Sequence, residues 1–148
     1  MSLSLQQLDD RVAVSGQLEV DDMKEVAAAG YTAVVNNRPD REALFGQPRT
    51  ADLKRAAEEA GLVFLDLPFT GPNATPDQVR ALAELLVARD GKVVVYCKSG
   101  MRSSLLWGAA AIAGGKSIDD VLNAALKAGH NLAPMKDTMF ALAAAARG

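Results

Sequence analysis

Lys92-Val-Val-Val-Tyr-Cys-Lys-Ser-Gly-Met-Arg-Ser-Ser104 joins a short apolar segment to a helical one through a small polar loop. The run Val93–Tyr96 predicts a buried strand, and the apolar run 105–113 predicts a helix. Cys97 lies between the two. The unpaired N–H groups and the positive dipole end of a helix N-terminus favour an anion at such a position, either a thiolate or a bound oxyanion.

The loop carries residues suited to hold a negative charge. A thiol beside a helix N-terminus has a lowered pKa, and its thiolate is the reactive form. Gly100 allows positive φ, so that successive N–H groups can point into one nest, and Arg102 adds a planar fork that can grip an oxyanion. We therefore predict Cys97 as the nucleophile and Arg102 as the oxyanion clamp. Substrate contacts are predicted for the loop residues Lys98, Ser99, Gly100 and Met101.

The simpler alternative is a buried, inert cysteine, which is the usual state of a free cysteine. It is disfavoured here because a cysteine, a glycine and an arginine fall together in one strand–loop–helix junction. We also expect no acidic side chain close to the loop to oppose a bound anion.

Length and composition limit the class of protein. A chain of 148 residues, 49% of them hydrophobic, fits one domain spanning residues 1–148. The net charge of −2 is spread along the chain and predicts neither a nucleic-acid nor a membrane surface. One cysteine excludes an internal disulfide framework. We expect no signal sequence, since residues 1–10 show no basic segment followed by an apolar one, and no run approaches the ~20 apolar residues of a membrane span. We expect a soluble, cytoplasmic domain without a metal or other cofactor, and its oligomeric state stays open.

Strand-like and helical segments alternate along the chain. Strands are predicted at 11–16, 32–35, 62–67 and 93–96. The clearest helix start is Thr75-Pro-Asp-Gln78, a capping box with proline at the first helical position. Thr50 is predicted to cap a helix that runs through Ala60, and Pro134 to begin the last helix. This alternation predicts an α/β fold with a mainly parallel sheet of four to five strands between helices. Ligands bind beyond the carboxyl ends of such strands, so Cys97 and the turn 36–40 should share one edge.

Three motifs support a family resemblance: Ser15-Gly-Gln17, Val34-Val-Asn-Asn-Arg-Pro-Asp40 and Tyr96-Cys-Lys-Ser-Gly-Met-Arg-Ser103. In this order they resemble the bacterial phosphatase-like domain of beta-lactamase-hydrolase-like proteins, a relative of the dual-specificity protein phosphatases. The resemblance covers roughly residues 10–115. It implies a cysteine-phosphatase fold, with Cys97 as nucleophile, Arg102 as oxyanion clamp and Ser103 assisting departure of the thiolate.

Two features depart from the pattern of the dual-specificity phosphatases. Those enzymes usually carry one residue more between Cys and Arg than the four found here, 98–101. A loop of this shorter length is similar to that of the rhodanese sulfurtransferases, which hold a persulfide. The general-acid Asp of the phosphatases aligns near Gly71, where no acid is present, and general acid catalysis is typically worth about 10²–10⁴-fold. Asp40 is the best-placed substitute, with Asp66 and Asp77 as other possibilities.

The turn after the second predicted strand supplies two further candidates. Arg38 could bind an anion beside Cys97, or it could hold the turn together. Asn36 is predicted as a second substrate-binding residue of this turn. His130 is interpreted as a helix-end residue, since a lone histidine offers no metal site.

Three functions stay open at this point. The leading prediction is a phosphatase-like hydrolase that acts on a phosphorylated small molecule or phosphoprotein through a phosphocysteine. The four-residue loop favours instead a sulfurtransferase that carries a persulfide on Cys97. The missing acid favours a third possibility, a non-catalytic module that binds an anion or a phosphoprotein.

Overall fold

Strands and helices alternate in the structure, a computed structural model that describes residues 3–148. Residues 3–148 contain five strands: β1 (Gln6–Gln7), β2 (Val12–Ser15), β3 (Tyr31–Asn36), β4 (Val63–Asp66) and β5 (Lys92–Tyr96). The helices are α1 (Asp22–Ala28), α2 (Thr50–Glu59), α3 (Pro76–Ala88), α4 (Met101–Ala113), α5 (Ile118–Lys127) and α6 (Lys136–Arg147), with a short 3₁₀ turn at Ala133–Met135.

The sheet has the order β1-β2-β5-β3-β4, and its last four strands are parallel. β5 therefore lies at the centre, with β2 and β3 beside it. Ser15 and Asn36 are both in register with Tyr96, so that the three strands end side by side. This confirms the predicted α/β fold and places Cys97 next to the turns that follow β2 and β3. The antiparallel edge strand β1 was not predicted, because two glutamines carry no apolar alternation.

Alternate residues of the central strands feed two separate cores. Val93 and Val95 pack in a cluster with residues of α3, α4, α5 and α6. Val94 and Tyr96 face the other side, where residues of α1 and α2 cover the sheet. All four side chains are fully buried. A strand buried on both faces explains why this segment is an unbroken apolar run.

Two predicted helix starts need correction. Thr50 is the first residue of α2 and not its cap, and its N–H and hydroxyl both donate to Asp40 Oδ1 at 2.8 Å. Pro134 lies in the 3₁₀ turn, and α6 begins only at Lys136. The capping box at the start of α3 is confirmed, since Thr75 and Gln78 exchange hydrogen bonds of 3.1 and 3.0 Å. No helix within residues 3–148 is long and apolar enough to cross a bilayer.

Candidate active site

The ends of the three central strands bring two of the sequence motifs against the Cys97 loop. The N–H of Cys97 donates to the Ser15 carbonyl at 3.2 Å, and the N–H of Asn37 donates to the Tyr96 carbonyl at 2.8 Å. A Cβ on Gly16 would lie 3.0 Å from the Lys98 carbonyl oxygen, so only glycine allows this close approach without a shift. The predicted meeting of the loop with the turn after β3 is therefore confirmed.

The sulfur of Cys97 lies at the focus of several hydrogen-bond donors. Cys97 is 1% exposed, and the N–H of Gly100 donates to its Sγ at 3.1 Å. Burial is the largest influence on the pKa of this thiol and raises it. Hydrogen bonding from Ser103 and from the N–H groups of Ser99 and Gly100 together outweighs burial, so the pKa of Cys97 is lowered. The loop N–H groups converge as the nest prediction required, but those of Ser99, Gly100 and Ser103 are directed at the sulfur itself.

The loop passes directly into α4 through Gly100. This residue has φ of 100°, in the left-handed region that glycine adopts without strain. The first three N–H groups of the helix, at Met101, Arg102 and Ser103, have no acceptor four residues back. Because the Ser103 N–H bonds to the sulfur, those of Met101 and Arg102 are the helical donors left for an anion.

Three of the five N–H groups of the Arg102 guanidinium donate hydrogen bonds within the protein. Nη1 donates to Glu42 Oε2 at 2.7 Å and to the Phe69 carbonyl at 3.0 Å, and Nη2 donates to Glu42 Oε1 at 2.8 Å. Nε–H and the second Nη2–H point along the remaining edge, which can grip one oxyanion bidentately. The pKa of Arg102 is raised, mainly by its hydrogen bonds with Glu42, and Cys97 contributes a smaller effect in the same direction. The arginine therefore lies close to the sulfur, as predicted.

Glu42 is a site residue that sequence analysis missed. It corrects the expectation that no acid lies near the loop, although it precedes Arg102 by 60 residues. Its carboxylate also accepts from Arg38 Nε at 2.9 Å. The hydrogen bonds with Arg102, followed by those with Arg38, lower the pKa of Glu42 to about 2 against the opposing effect of burial. The carboxylate is therefore ionised at neutral pH and balances one of the two guanidinium charges.

Ser103 and Asn37 form a buried pair behind the sulfur. The hydroxyl of Ser103 donates to Asn37 Oδ1 at 2.9 Å, and Asn37 Nδ2 donates to the Leu67 carbonyl at 2.9 Å. Both side chains are 0% exposed. This pairing fixes the Ser103 oxygen beside Cys97, where the resemblance placed an assisting hydroxyl. Asn37 stood in the second motif, but nothing in the sequence distinguished it from its neighbour Asn36.

The two substrate-binding candidates in the turn after β3, Arg38 and Asn36, differ in their contacts. Arg38 belongs to the site, because it contacts Glu42 and its Nη1 donates to Gln17 Oε1 at 3.0 Å. Asn36 donates to the Arg38 carbonyl and to Asp66 Oδ1, and it accepts from the Arg38 N–H, each at 2.8 Å. Both amide hydrogens of Asn36 are thereby used within the turn, which supports a structural role in place of the predicted substrate contact.

The three candidate acids form hydrogen bonds or ion pairs with residues outside the Cys97 loop. Asp40 accepts its two hydrogen bonds at the start of α2. Asp66 accepts from Asn36, and Asp77 pairs with Arg80 on the surface of α3. These contacts give no support to a general acid among the three.

The remaining loop residues contribute mainly through their backbone. The side chains of Lys98 and Ser99 are exposed, and Met101 packs partly against the core. The Lys98 carbonyl accepts from the N–H of Gln17 at 3.3 Å, which ties the loop to the turn after β2.

Comparison with known proteins places this geometry in a family. Residues 4–115 match the family described as beta-lactamase hydrolase-like protein, phosphatase-like domain. The beta-lactamase hydrolase-like protein of Xylella fastidiosa (strain Temecula1 / ATCC 700964) is 32% identical over 117 residues, which make up 79% of this chain and 27% of that protein. The chain thus spans little more than a quarter of the length of this curated relative.

Solved structures share the architecture. A protein of Neisseria meningitidis z2491 (nma1982), described as a candidate phosphatase, is 31% identical with a TM-score of 0.81, covering 95% of this chain and 99% of that one. A variant of TpbA from P. aeruginosa, solved in complex with pTyr, is 16% identical with a TM-score of 0.66, covering 97% and 90% of the two chains. The latter likeness concerns the fold alone. The resemblance carried by the three motifs is confirmed, and the chain belongs to the family of the phosphatase-like domain of beta-lactamase hydrolase-like proteins.

Proposed function

We propose that this protein is a cysteine-dependent hydrolase of phosphomonoesters. One observation carries the proposal: the N–H of Gly100 donates to the buried Cys97 Sγ at 3.1 Å, and hydrogen bonding from this loop lowers the pKa of the thiol close to Arg102. An activated thiolate next to a guanidinium that keeps one edge free is the arrangement that attack on an oxyanionic centre requires.

The reaction would proceed in two displacements at phosphorus. The Cys97 thiolate attacks, a sulfur–phosphorus bond forms, and the bond between phosphorus and the leaving oxygen breaks. The phosphoryl oxygens accept hydrogen bonds from the N–H groups of Met101 and Arg102 and from the Arg102 side chain. Water then attacks the phosphocysteine, releases inorganic phosphate and restores the thiolate, while the Ser103 hydroxyl turns its proton from Asn37 toward the departing sulfur. Positioning and charge stabilisation supply most of the rate acceleration.

The leaving group narrows the substrate class. Asp40, Asp66 and Asp77 have their contacts elsewhere, so a poor leaving group would depart without a proton donor. An aryl oxide departs more readily than an alkyl oxide because its conjugate acid is stronger. We therefore infer that aryl phosphomonoesters, free or on a protein, are the preferred substrates. The pTyr complex of the P. aeruginosa relative is consistent with that class.

A sulfurtransferase is the second candidate, and the loop geometry favours it. The loop amides contact the sulfur itself, and the four-residue spacing leaves few donors for three phosphoryl oxygens. In that reaction the thiolate attacks the outer sulfur of thiosulfate, a Cys97 persulfide forms, and sulfite leaves with the electron pair of the broken sulfur–sulfur bond. Cyanide or a thiolate then takes the outer sulfur and regenerates the thiolate.

Parallel assays of the purified protein separate these functions. We expect hydrolysis of an aryl phosphate, loss of that activity in Cys97→Ser, and slower turnover of an alkyl phosphate. Thiocyanate formation from thiosulfate and cyanide, without phosphate release from the aryl ester, would replace the phosphatase with the sulfurtransferase. If neither reaction occurs but inorganic phosphate binds and Arg102→Lys abolishes that binding, the site is a binding module.

A further inference from the structure

His130 stands behind the Cys97 loop, outside every role assigned so far. It follows Gly129, whose φ is 99°, just beyond the end of α5. Its N–H donates to the Ala125 carbonyl at 2.8 Å, and this turn places the residue inside the protein, where it is 9% exposed. Burial lowers the pKa of the imidazole, which favours the neutral ring at pH 7. A neutral ring packs against the loop without bringing a charge to the back of the anion site.

The ring touches the loop at its turning point. A Cβ built on Gly100 would lie 2.9 Å from Nε2 and 3.1 Å from Cε1 of His130, and 3.6 Å from the Ser15 carbonyl oxygen. The imidazole therefore fills the space into which a side chain at position 100 would project. The N–H of the same glycine donates to Cys97 Sγ at 3.1 Å. Gly100 is thus confined by the sulfur through its N–H and by the imidazole at its α-carbon.

This confinement matters because glycine is the most mobile residue of a chain. The carbonyl of Gly100 is held by the N–H and hydroxyl of Ser104 at 2.9 and 2.8 Å, but no side chain of its own restrains the peptide on its N-terminal side. A rotation of the peptide between Ser99 and Gly100 would turn the N–H away from the sulfur and remove one of the donors that stabilise the thiolate. We propose that His130 is a positioning residue, which packs against Gly100 and keeps its N–H directed at Cys97. The proposal rests on the role of Cys97 as nucleophile, and it holds for phosphoryl and sulfur transfer alike.

The thiol titration tests this directly. Cys97 is the single cysteine of the chain, so the pH dependence of its alkylation by iodoacetamide, followed by intact mass spectrometry, reports one group. His130→Ala should move the midpoint of alkylation upward by about one pH unit, which is tenfold in the acid constant. In His130→Gln, whose amide can reach the same space, the midpoint should return most of the way to the wild-type value. The matched control is Val121→Ala, which truncates a fully buried side chain in α5, the helix that precedes His130.

The control and the His130 variants should differ in which property changes. Val121→Ala should lower the melting temperature while leaving the alkylation midpoint unchanged, which separates general loosening from loss of the contact. An unchanged midpoint in His130→Ala would overturn the proposal. The proposal would also be overturned if the midpoint of Val121→Ala or of His130→Gln moved as far as that of His130→Ala. Because alkylation requires no substrate, the test stands even if both enzymatic assays fail, and the two failures can be told apart.

Discussion

Replacing Glu42 with glutamine tests how the arginine clamp is held. Glutamine keeps the length of the side chain and one oxygen acceptor, but it removes the charge and one of the two bonds to Arg102. In the structure those bonds measure 2.7 and 2.8 Å and leave the Nε–Nη2 edge of the guanidinium free. If Glu42 orients this edge toward the substrate, Glu42→Gln should impair catalysis. If the carboxylate instead competes with the substrate for Arg102, the same change should raise activity.

The size of the effect follows from burial and hydrogen bonding. A hydrogen bond to a charged group typically contributes about 1.5–3 kcal/mol, whereas a solvent-exposed ion pair contributes about 1 kcal/mol or less. The side chains of Glu42 and Arg102 are 27% and 14% exposed, which places their contact between these limits. We take about 1.4 kcal/mol, which corresponds to a tenfold loss in kcat/KM.

The measurement is the rate of aryl phosphate hydrolysis by both proteins at neutral pH, together with inhibition by inorganic phosphate. Phosphate should inhibit Glu42→Gln more weakly, because the clamp is less well oriented. Asp77→Asn is the matched control, since Asp77 also pairs with an arginine but its side chain is 89% exposed on α3. That control should match the wild type. An increase in kcat/KM or tighter phosphate inhibition in Glu42→Gln would refute the orienting role.

Three further predictions concern the Cys97 loop and its contact with Glu42. Arg102→Lys keeps the charge but loses the planar fork, so kcat/KM for the aryl phosphate should fall by about a hundredfold or more; a loss of less than about threefold would mark Arg102 as structural. Because the folded pKa of Glu42 is lowered from 4.5 to about 2, its contribution to stability is present above pH 4.5 and lost as the pH falls toward 2. The difference in melting temperature between wild type and Glu42→Gln should therefore shrink over that range, and a constant difference would contradict the assignment. Gly100→Ala should destabilise the fold more than Gly46→Ala, by about 1–3 kcal/mol in urea unfolding, because both positions have positive φ but only Gly100 has neighbours where a Cβ would lie. Equal losses of unfolding free energy in the two variants would show that His130 does not restrict the space for a Cβ at position 100.

The features that the sequence predicted well are local ones. The run Val93–Tyr96 is apolar throughout because both of its faces are buried, and the capping box at Thr75 specifies a helix start within four residues. The position of Cys97 and Arg102 on either side of one strand–helix junction was predictable for the same reason. The strand, the turning glycine and the helix N-terminus that focus donors on the sulfur are contiguous in the chain.

The features that the sequence did not predict depend on tertiary contacts. Glu42 meets Arg102 only because the loop after β3 folds over the helix start, and no periodicity distinguishes it from other surface acids. His130 reaches Gly100 only through the packing of α5 beside α4. Asn36 and Asp40 were harder still, since asparagine and aspartate serve equally well as ligands and as turn-forming residues. Their contacts within the turn and at α2 distinguish the two roles.

Trapping the covalent intermediate tests the central claim most directly. The protein is mixed with an aryl phosphate, quenched in acid within the first turnover and examined by intact and peptide mass spectrometry, with Cys97→Ser in parallel. The account predicts an added phosphoryl group on the peptide that contains Cys97, absent from the variant. Rapid hydrolysis with the phosphoryl group on any other residue would contradict this claim. It would also be contradicted if the aryl phosphate failed to phosphorylate Cys97 while treatment with thiosulfate added a single sulfur to that residue.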